Sequence, residues 1–431
     1  MKNFLIIIIG SLLIVTNSNA ESFSTALSKA FKNNSELNAE RENINISEQD
    51  LKISQGNYLP TVTLSGSKNQ ENTDKLTNQS GGNAIINDVD PFTRSISISQ
   101  TLIDFGRGAE LSKSRIGLDL AKVKLLKKEQ EILFKTTEAY TGLVFANEKL
   151  KINKDNVELL SRQVETDQIR VERGQITLSD VSQSESSLAE AQAKLIQAEN
   201  ELLTSKLNYE NIIGSLNDPK SLDKKTIKGY SLPNNLNSAI ELSKKNNPDL
   251  IIAKLEYEQA QKDKTIAKSN LAPSANLSLE RSYTDDLSVT YDEREKDTLK
   301  ATITWPFYSG GKNLASLNKS SSLEIKSRLI LDSVTKQNQT NVASAWSSYQ
   351  SNKSLLNSVQ AQVRAAEIAN EGISAEYNSG AGRTTLEVIQ SNSLLLNAQI
   401  SLANSERNFI LSKFNLLKSV GLLNSEYLKI N

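Results

Sequence analysis

The side chains of this sequence that could do chemistry are carboxylates, amines and guanidinium groups. The chain holds 50 Lys and Arg and 50 Asp and Glu, but no His and no Cys. The usual general bases, thiol nucleophiles and zinc ligands are therefore absent. Carboxylates alone could still catalyse a reaction, but they form no recognisable pair on a glycine-rich scaffold. We expect no enzyme activity, no cofactor and no metal site.

The composition favours long, thin helices over a compact globule. Hydrophobic residues make up 38% of the chain and aromatic residues 5%, which is low for a soluble globular domain. Helices that bury only a narrow stripe need few apolar residues. The equal numbers of positive and negative charges give no indication of a nucleic acid partner.

Two carboxylates, Asp180 and Glu387, occupy equivalent positions of an internal repeat, 207 residues apart (387 − 180). The same offset relates Val181 to Val388, Gln183 to Gln390, Ala191 to Ala398 and Gly214 to Gly421. Each acid stands near the start of a predicted helix, where the helix dipole favours negative charge. This structural role alone would explain both acids.

The repeat predicts two copies of one unit, residues 21–214 and 236–421. The polar linker 215–235 joins them, and residues 422–431 form a tail. The motif "KNNSEL" from Lys32 recurs as "KNNPDL" from Lys245, near the start of each copy. Each copy contains a helix, a β-hairpin, a long helix and a further helix.

Residues 1–20 predict a cleaved signal peptide. Lys2 supplies a positive charge, and the apolar run from Phe4 to Val15 is too short to span a bilayer as a helix. Small residues precede the expected cleavage site after Ala20. The protein is therefore expected to leave the cytoplasm.

Each copy contains a β-hairpin, at about 58–105 and 272–308. Pro60 and Pro273, near the starts of these ranges, mark the change from helix to strand. Apolar and small polar residues alternate in "TVTLSGS", "RSISISQTL", "SANLSLE" and "LKATITWPF". Strands of roughly ten residues with this pattern are typical of membrane-spanning barrels. Polar turns are expected at about 70–91 and 284–297.

A long helix follows each hairpin, at about 107–173 and 312–379. Gly106 and Gly108, and Gly310 and Gly311 in the second copy, are expected to let the backbone change from strand to helix. The last helices, about 177–214 and 384–421, carry heptads in which large residues alternate with Ala or Ser. Such a seam predicts close coiled-coil packing.

Four strands cannot close a barrel, and lipid does not tolerate an open sheet edge. The pattern therefore predicts an oligomer. Two chains would supply eight strands, too few for a channel, whereas three would supply twelve.

The order of elements, together with "LPTVTLSG", "SQTLIDFGRG", "TWPFYSGGK" and "YNSGAGRTTLEVIQS", resembles the TolC family of outer-membrane channel proteins. The resemblance covers nearly all of the mature chain. It implies a mainly α fold with a β-barrel: a homotrimeric, twelve-stranded outer-membrane barrel continued by a long periplasmic coiled-coil barrel. It also implies an exit duct for type I secretion or multidrug efflux in a Gram-negative bacterium. The implied partners are a periplasmic adaptor and an inner-membrane ABC or proton-driven pump.

The resemblance also implies roles for residues at a periplasmic gate. Glu387 matches a carboxylate ring, Arg383 and Tyr377 match gate-latch residues, and Asp180 matches the acid of the latch. Gln390 stands where a second acidic ring would be, which implies weaker cation binding. An extra glycine lies between the tyrosine and the arginine.

A soluble periplasmic coiled-coil scaffold is the alternative. It explains the helices and the signal peptide, but not four amphipathic strands at matching places. The cargo, protein or small molecule, stays open at this point.

Overall fold

The computed structural model describes residues 21–430, except 73, 75, 76, 78, 83–87, 217–221, 223, 225, 226, 228, 229, 289, 290 and 381. The predicted signal peptide and part of the predicted linker lie outside these residues. In the described part, the elements are α1 (Phe23–Asn33), α2 (Ser35–Gly56), β1 (Thr61–Lys68), β2 (Phe92–Ile103), α3 (Arg107–Glu172), α4 (Leu178–Ile212), α5 (Leu236–Asn246), α6 (Pro248–Ser269), β3 (Ser274–Asp285), β4 (Glu293–Thr304), α7 (Lys312–Ser379), α8 (Thr385–Ser419) and α9 (Ser425–Leu428).

The chain divides into two compact units, each built from segments that are distant in sequence. The helical unit comprises Glu129–Glu241, Asn341–Asn431 and the described residues of Met1–Ser35. The sheet unit comprises Glu36–Lys128 and Leu242–Thr340.

The four predicted strands form one antiparallel sheet in the order β1-β2-β3-β4. The two hairpins of the repeat are joined because β2 pairs with β3. Val62, Ile98, Leu279 and Leu299 lie in one row across the sheet. All four are exposed, Leu299 to 72%. The sheet therefore has an uncovered apolar face, as the alternation predicts.

The second hairpin turn is shorter than predicted. The expected turn, 284–297, overlaps both β3, which continues to Asp285, and β4, which begins at Glu293. The prediction was wrong because the charged residues there were assigned to a loop. In the sheet, charged residues face each other in register, as in the pair Arg281 and Asp297.

The first helix of each copy was predicted as continuous, and this was also wrong. α1 and α2 are separated at Asn34, and α5 and α6 at Asn247, whose backbones are extended (ψ 123° and 120°). The Asn247 side chain caps α6 by accepting a hydrogen bond from the backbone N–H of Leu250. Pro248 then takes the first helical position, where its missing N–H costs nothing.

The prolines and glycines predicted at the ends of the hairpins have different structural roles. Pro60 and Pro273 directly precede β1 and β3. Gly106 lies one residue before α3, and its N–H donates to Oδ1 of Asp104 at 2.7 Å. A Cβ at Gly106 would lie 2.4 Å from Oγ of Ser269. Close approach therefore explains this glycine, whereas Gly108 lies within the first turn of α3.

Gly310 and Gly311 precede α7 with φ values of 63° and 79°. Side chains other than glycine rarely adopt this left-handed region. At this junction, the second copy needs glycine for its backbone conformation. The first copy instead needs glycine because a side chain lies close to the position of a Cβ atom.

The core of the helical unit is an aromatic cluster. Phe23 contacts the rings of Tyr140 and Phe414 edge to face, with centroids 5.2 and 5.4 Å apart. Tyr209 lies against Tyr140, with a centroid distance of 6.5 Å. All four side chains are buried. The cluster therefore joins α1, α3, α4 and α8.

The predicted large-and-small seam packs α8 against α7. Ala398 is buried with Val363 and Ala366, and Leu395 and Leu402 pack against them. Small residues at alternate seam positions allow the two helices to approach closely. None of the helices in the described part of the chain combines the length and apolar character needed to cross a membrane.

Gly106→Ala should lower the free energy of unfolding of the protein by about 0.5–1.5 kcal/mol, because the Ser269 hydroxyl must rotate away from the added methyl group and lose its hydrogen bond to the Ile266 backbone oxygen. Thermal unfolding of the purified protein measures this. Ser269→Ala in the same chain should restore the midpoint by removing the Oγ atom. Gly66→Ala is the control, since nothing lies within 4 Å of its Cβ position. An unchanged midpoint in Gly106→Ala would contradict the assignment.

Candidate functional site at the paired helix turns

Two glycine-containing turns, α3–α4 and α7–α8, occupy matching places in the repeat and lie in the helical unit. Gly174 in the first turn has a φ of 69°. Gly380 and Gly382 in the second have φ values of 77° and 86°. These positive values let the chain reverse direction within a few residues.

Each turn ends in a capping box, a reciprocal pair of hydrogen bonds at the start of a helix. In α4, the Thr177 N–H donates to Oδ2 of Asp180 at 2.9 Å, and the Asp180 N–H donates to Oγ1 of Thr177. In α8, the Thr384 N–H donates to Oε2 of Glu387 at 2.8 Å, and the Glu387 N–H donates to Oγ1 of Thr384. Both predicted gate acids are thus cap residues of their own helices.

These hydrogen bonds favour the ionised carboxylates. The pKa of Asp180 is lowered, chiefly by the hydrogen bond from the Thr177 side chain. The pKa of Glu387 is lowered, chiefly by the hydrogen bond from the Thr384 backbone and then by the Arg383 side chain. Both acids therefore carry negative charge at neutral pH.

A buried carboxylate, Asp167 on α3, lies between the two turns. Its side chain is fully buried. Oδ1 accepts hydrogen bonds from the Tyr377 hydroxyl at 2.6 Å and from Nε2 of Gln163 at 2.9 Å. Oδ2 accepts a hydrogen bond from the Ser184 hydroxyl at 2.5 Å.

Thr385 completes the arrangement, with its hydroxyl 3.0 Å from that of Tyr377. We call Asp167, Ser184, Tyr377 and Thr385 the Asp167 cluster. Its members come from α3, α4, α7 and α8. Asp167 bonds directly to α4 and α7, and Tyr377 extends the network to α8. A buried polar side chain is tolerated only when hydrogen bonds replace its water.

Arg170 covers the Tyr377 ring. Its guanidinium carbon lies 4.1 Å from the ring centroid, and Nη2 donates to the tyrosine backbone oxygen at 3.3 Å. The two residues are 207 positions apart and are therefore repeat equivalents that stack on each other. Burial raises the pKa of Tyr377, so its hydroxyl stays protonated and donates to Asp167.

Arg383 is exposed and forms ion pairs on both sides of its turn. Nε lies 2.6 Å from Oε2 of Glu376, and Nη1 lies 2.9 Å from Oε1 of Glu387. Within one chain it therefore pairs with these two acids rather than with Asp180. Gln390 lies exposed on α8, one turn after Glu387.

Comparison with known protein families identifies the family of this chain. A family model described as outer membrane efflux protein matches residues 26–215 and 239–422. The chain belongs to the outer membrane efflux protein family. The two matched stretches correspond to the two copies of the repeat.

Relatives of this efflux-family chain align with it over nearly its whole length. It is 24% identical over 425 residues to the outer membrane efflux protein BepC of Brucella suis, covering 98% of this chain and 90% of the relative. It is 21% identical over 442 residues to the outer membrane protein TolC of Escherichia coli, covering 99% and 88%. The solved outer membrane channel CmeC of Campylobacter jejuni superposes with a TM-score of 0.83 at 15% identity, covering 94% of this chain and 86% of that chain.

The predicted TolC-family fold and the outer-membrane location are thereby confirmed. The efflux-family chain is an outer-membrane channel protein, in a family of channels rather than enzymes. Family membership does not favour the alternative of a soluble scaffold.

The sequence interpretation missed Asp167, although the heptad of α3 contains a signal for it. Leu160 and Val164 are buried seam residues, and the next seam position, three residues on, is Asp167. A carboxylate at a seam position of a coiled coil is unfavourable without specific partners. Its partner Tyr377 lies 210 residues away, which is why the sequence alone did not connect them.

Acid should release the cap of α8. A carboxyl group with a lowered pKa stabilises the folded state above its ordinary pKa, here 4.5, and loses this effect as the pH falls through its folded value. The protection factor of the Thr384 amide should therefore be constant from neutral pH to about pH 5 and decrease at lower pH. Hydrogen exchange read by mass spectrometry measures this. Glu387→Gln should remove the dependence, and a dependence that persists in this variant would assign it to another group.

Proposed function

We propose that three copies of this chain close a twelve-stranded barrel in the outer membrane and form the exit duct of an export machine. An inner-membrane pump, ABC-type or proton-driven, would deliver the cargo through a periplasmic adaptor. The cargo would be a protein, as in type I secretion, or a small molecule, as in multidrug efflux. The observation that carries this proposal is the four-stranded sheet with two end strands and an exposed apolar face.

The sheet edges support the oligomer. β1 and β4 are the end strands of the sheet, and neither has an outer neighbour among the described residues of the chain. In lipid, each unpaired backbone N–H or C=O costs several kcal/mol, as an order of magnitude. Pairing of β4 with β1 of the next copy satisfies both edges, and repetition of this contact closes a ring.

The apolar face supports contact with lipid. Leu64 is 79% exposed and Ile303 is 77% exposed. The residues that alternate with them are mainly Ser and Thr, which suit contact with water. A barrel of twelve strands places the first set outside and the second set around an aqueous channel.

The mass of the protein tests the oligomer. After fractionation, the protein should occur in the outer membrane, require detergent for extraction and have the mass of three chains, each about 47.5 kDa before removal of the leader. Light scattering with correction for bound detergent measures this. A soluble monomer or dimer would overturn the trimer and the duct.

We further propose that the two helix turns form the gate of this duct. Asp167 is the main element that holds the turns together within a chain, because each hydrogen bond to a charged group contributes about 1.5–3 kcal/mol. Arg383 and Glu387 are exposed, and exposed ion pairs contribute little and exchange partners readily. Arg383 can therefore leave Glu376 and Glu387 for Asp180, the latch acid that the family resemblance implies.

Gate variants test this role in planar bilayers. Asp167→Ala and Tyr377→Phe should raise single-channel conductance above that of the wild type, because each removes hydrogen bonds that hold the turns together. Ser374→Ala is the matched control, since this serine is the repeat equivalent of Asp167 (374 − 167 = 207) and lines the adjacent groove. Arg383→Ser and Asp180→Ala should also raise conductance. Conductance equal to the wild type in all four gate variants would refute the gate.

A further inference from the structure

The charges of β4 alternate in sign along its first half. Acids occupy Glu293, Glu295 and Asp297, whereas bases occupy Arg294, Lys296 and Lys300. The charges of these six residues sum to zero, so the composition of the strand alone indicates no electrostatic effect. In a strand, however, successive side chains point to opposite faces. Alternation therefore places the acids on one face of the sheet and the bases on the other.

The strand register identifies which face holds the bases. Lys300 is paired with Ser278, and Lys296 with Ser282. The row continues from Ser278 to Ser99 on β2 and to Thr61 on β1. The acids instead share a face with Leu299 and Ile303, the apolar residues that face lipid in the proposed barrel.

The polar face has few other charges. Its residues on β1, β2 and β3 are Thr61, Thr63, Ser65, Ser67, Thr93, Ser95, Ser97, Ser99, Thr101, Ser274, Asn276, Ser278, Glu280, Ser282 and Thr284. Glu280 is the one charged residue among these fifteen. The net charge of the face is therefore +2 per chain, from three bases and one acid (3 − 1).

The bases on this face are available to solutes. All three are exposed. Among the ion pairs of the described residues, none includes Arg294, Lys296 or Lys300. On the opposite face, by contrast, Arg281 lies 3.4 Å from Glu295 and 3.9 Å from Asp297.

We propose that Arg294, Lys296 and Lys300 form a basic stripe that lines the lumen of the barrel and attracts anionic solutes. The inference rests on the proposed trimeric duct, in which the stripe occurs three times. With +2 per chain, the lumen carries +6 (3 × 2) from this face. The acids of β4 lie on the other face of the sheet and therefore do not line the lumen.

The stripe and the proposed gate are opposite in sign. The gate presents Glu387, whereas the barrel presents two lysines and an arginine. A channel with charged walls concentrates the counter-ion. Solutes that bear carboxylate or phosphate groups would therefore be favoured along the stripe.

Lysines on an edge strand have another common purpose, which is to prevent pairing with foreign strands. That role does not depend on the face that the lysines occupy. A role in the lumen does depend on the face, so comparison of the two faces separates these explanations.

Ion selectivity in planar bilayers tests the stripe. The double variant Lys296→Gln/Lys300→Gln removes two positive charges from the polar face, and the matched double variant Lys68→Gln/Arg281→Gln removes two from the apolar face. Reversal potentials in a KCl gradient report the ratio of chloride to potassium permeability. This ratio should fall about twofold or more in the first variant and stay at the wild-type value in the second.

Cysteine accessibility is an independent test that uses single substitutions. The chain has no cysteine, so Lys300→Cys and Leu299→Cys each introduce a unique thiol on opposite faces. A membrane-impermeant anionic thiol reagent should modify Lys300→Cys and change its conductance, but should leave Leu299→Cys in lipid unmodified.

The outcomes separate the two proposals. If the wild type conducts and the polar-face variant keeps its chloride-to-potassium ratio, the stripe is refuted and the duct stands. Modification of Leu299→Cys but not Lys300→Cys would refute the assignment of faces. If the wild-type protein forms no channels at all, the duct falls and the stripe falls with it.

Discussion

The structure depends on a constraint at the two edges of its sheet. A strand at a sheet edge leaves a row of backbone groups without partners, and a membrane supplies no water to pair with them. Within the described part of one chain, β1 and β4 both have this property. A chain that contributes only four strands therefore has a stable place in a membrane only together with copies of itself, and its folding and assembly cannot be separated.

The two copies of the repeat keep the same backbone geometry at their turns but differ in the side chains that meet between the turns. Both turns keep the same capping box, with Thr177 and Asp180 in one and Thr384 and Glu387 in the other. The positions that meet between the turns have diverged. A carboxylate stands in one copy where the other has Ser374, and an arginine stands where the other has a tyrosine. Because the side chains at these positions differ between the two copies, those of one copy can bind those of the other.

Local patterns predicted most of the fold from the sequence. Alternation located the four strands, and the large-and-small heptads of the last helices predicted their packing. The breaks at Asn34 and Asn247 were missed, although Pro248 favours the start of a new helix there. Length and periodicity suggested one continuous helix, and the capping of α6 by Asn247 overrides that pattern.

The site was less predictable because its contacts are distant in sequence. Asp180 and Glu387 could be located by their position in the repeat, and their cap role follows from the helix dipole. Asp167 has meaning only through Tyr377, Ser184 and Gln163, which reach it from three helices including its own. The gate roles of Glu387, Gln390, Arg383, Asp180 and Tyr377 stay predictions.

The aromatic core of the helical unit has a consequence for the order of folding. Phe23 and its edge-to-face partner Phe414 are 391 positions apart in the sequence (414 − 23). The aromatic core therefore cannot close until the chain has been synthesised and exported as far as Phe414. Contacts this distant in sequence also form slowly, since the loop between them must close first. The aromatic core of a newly exported chain therefore stays open until α8 arrives.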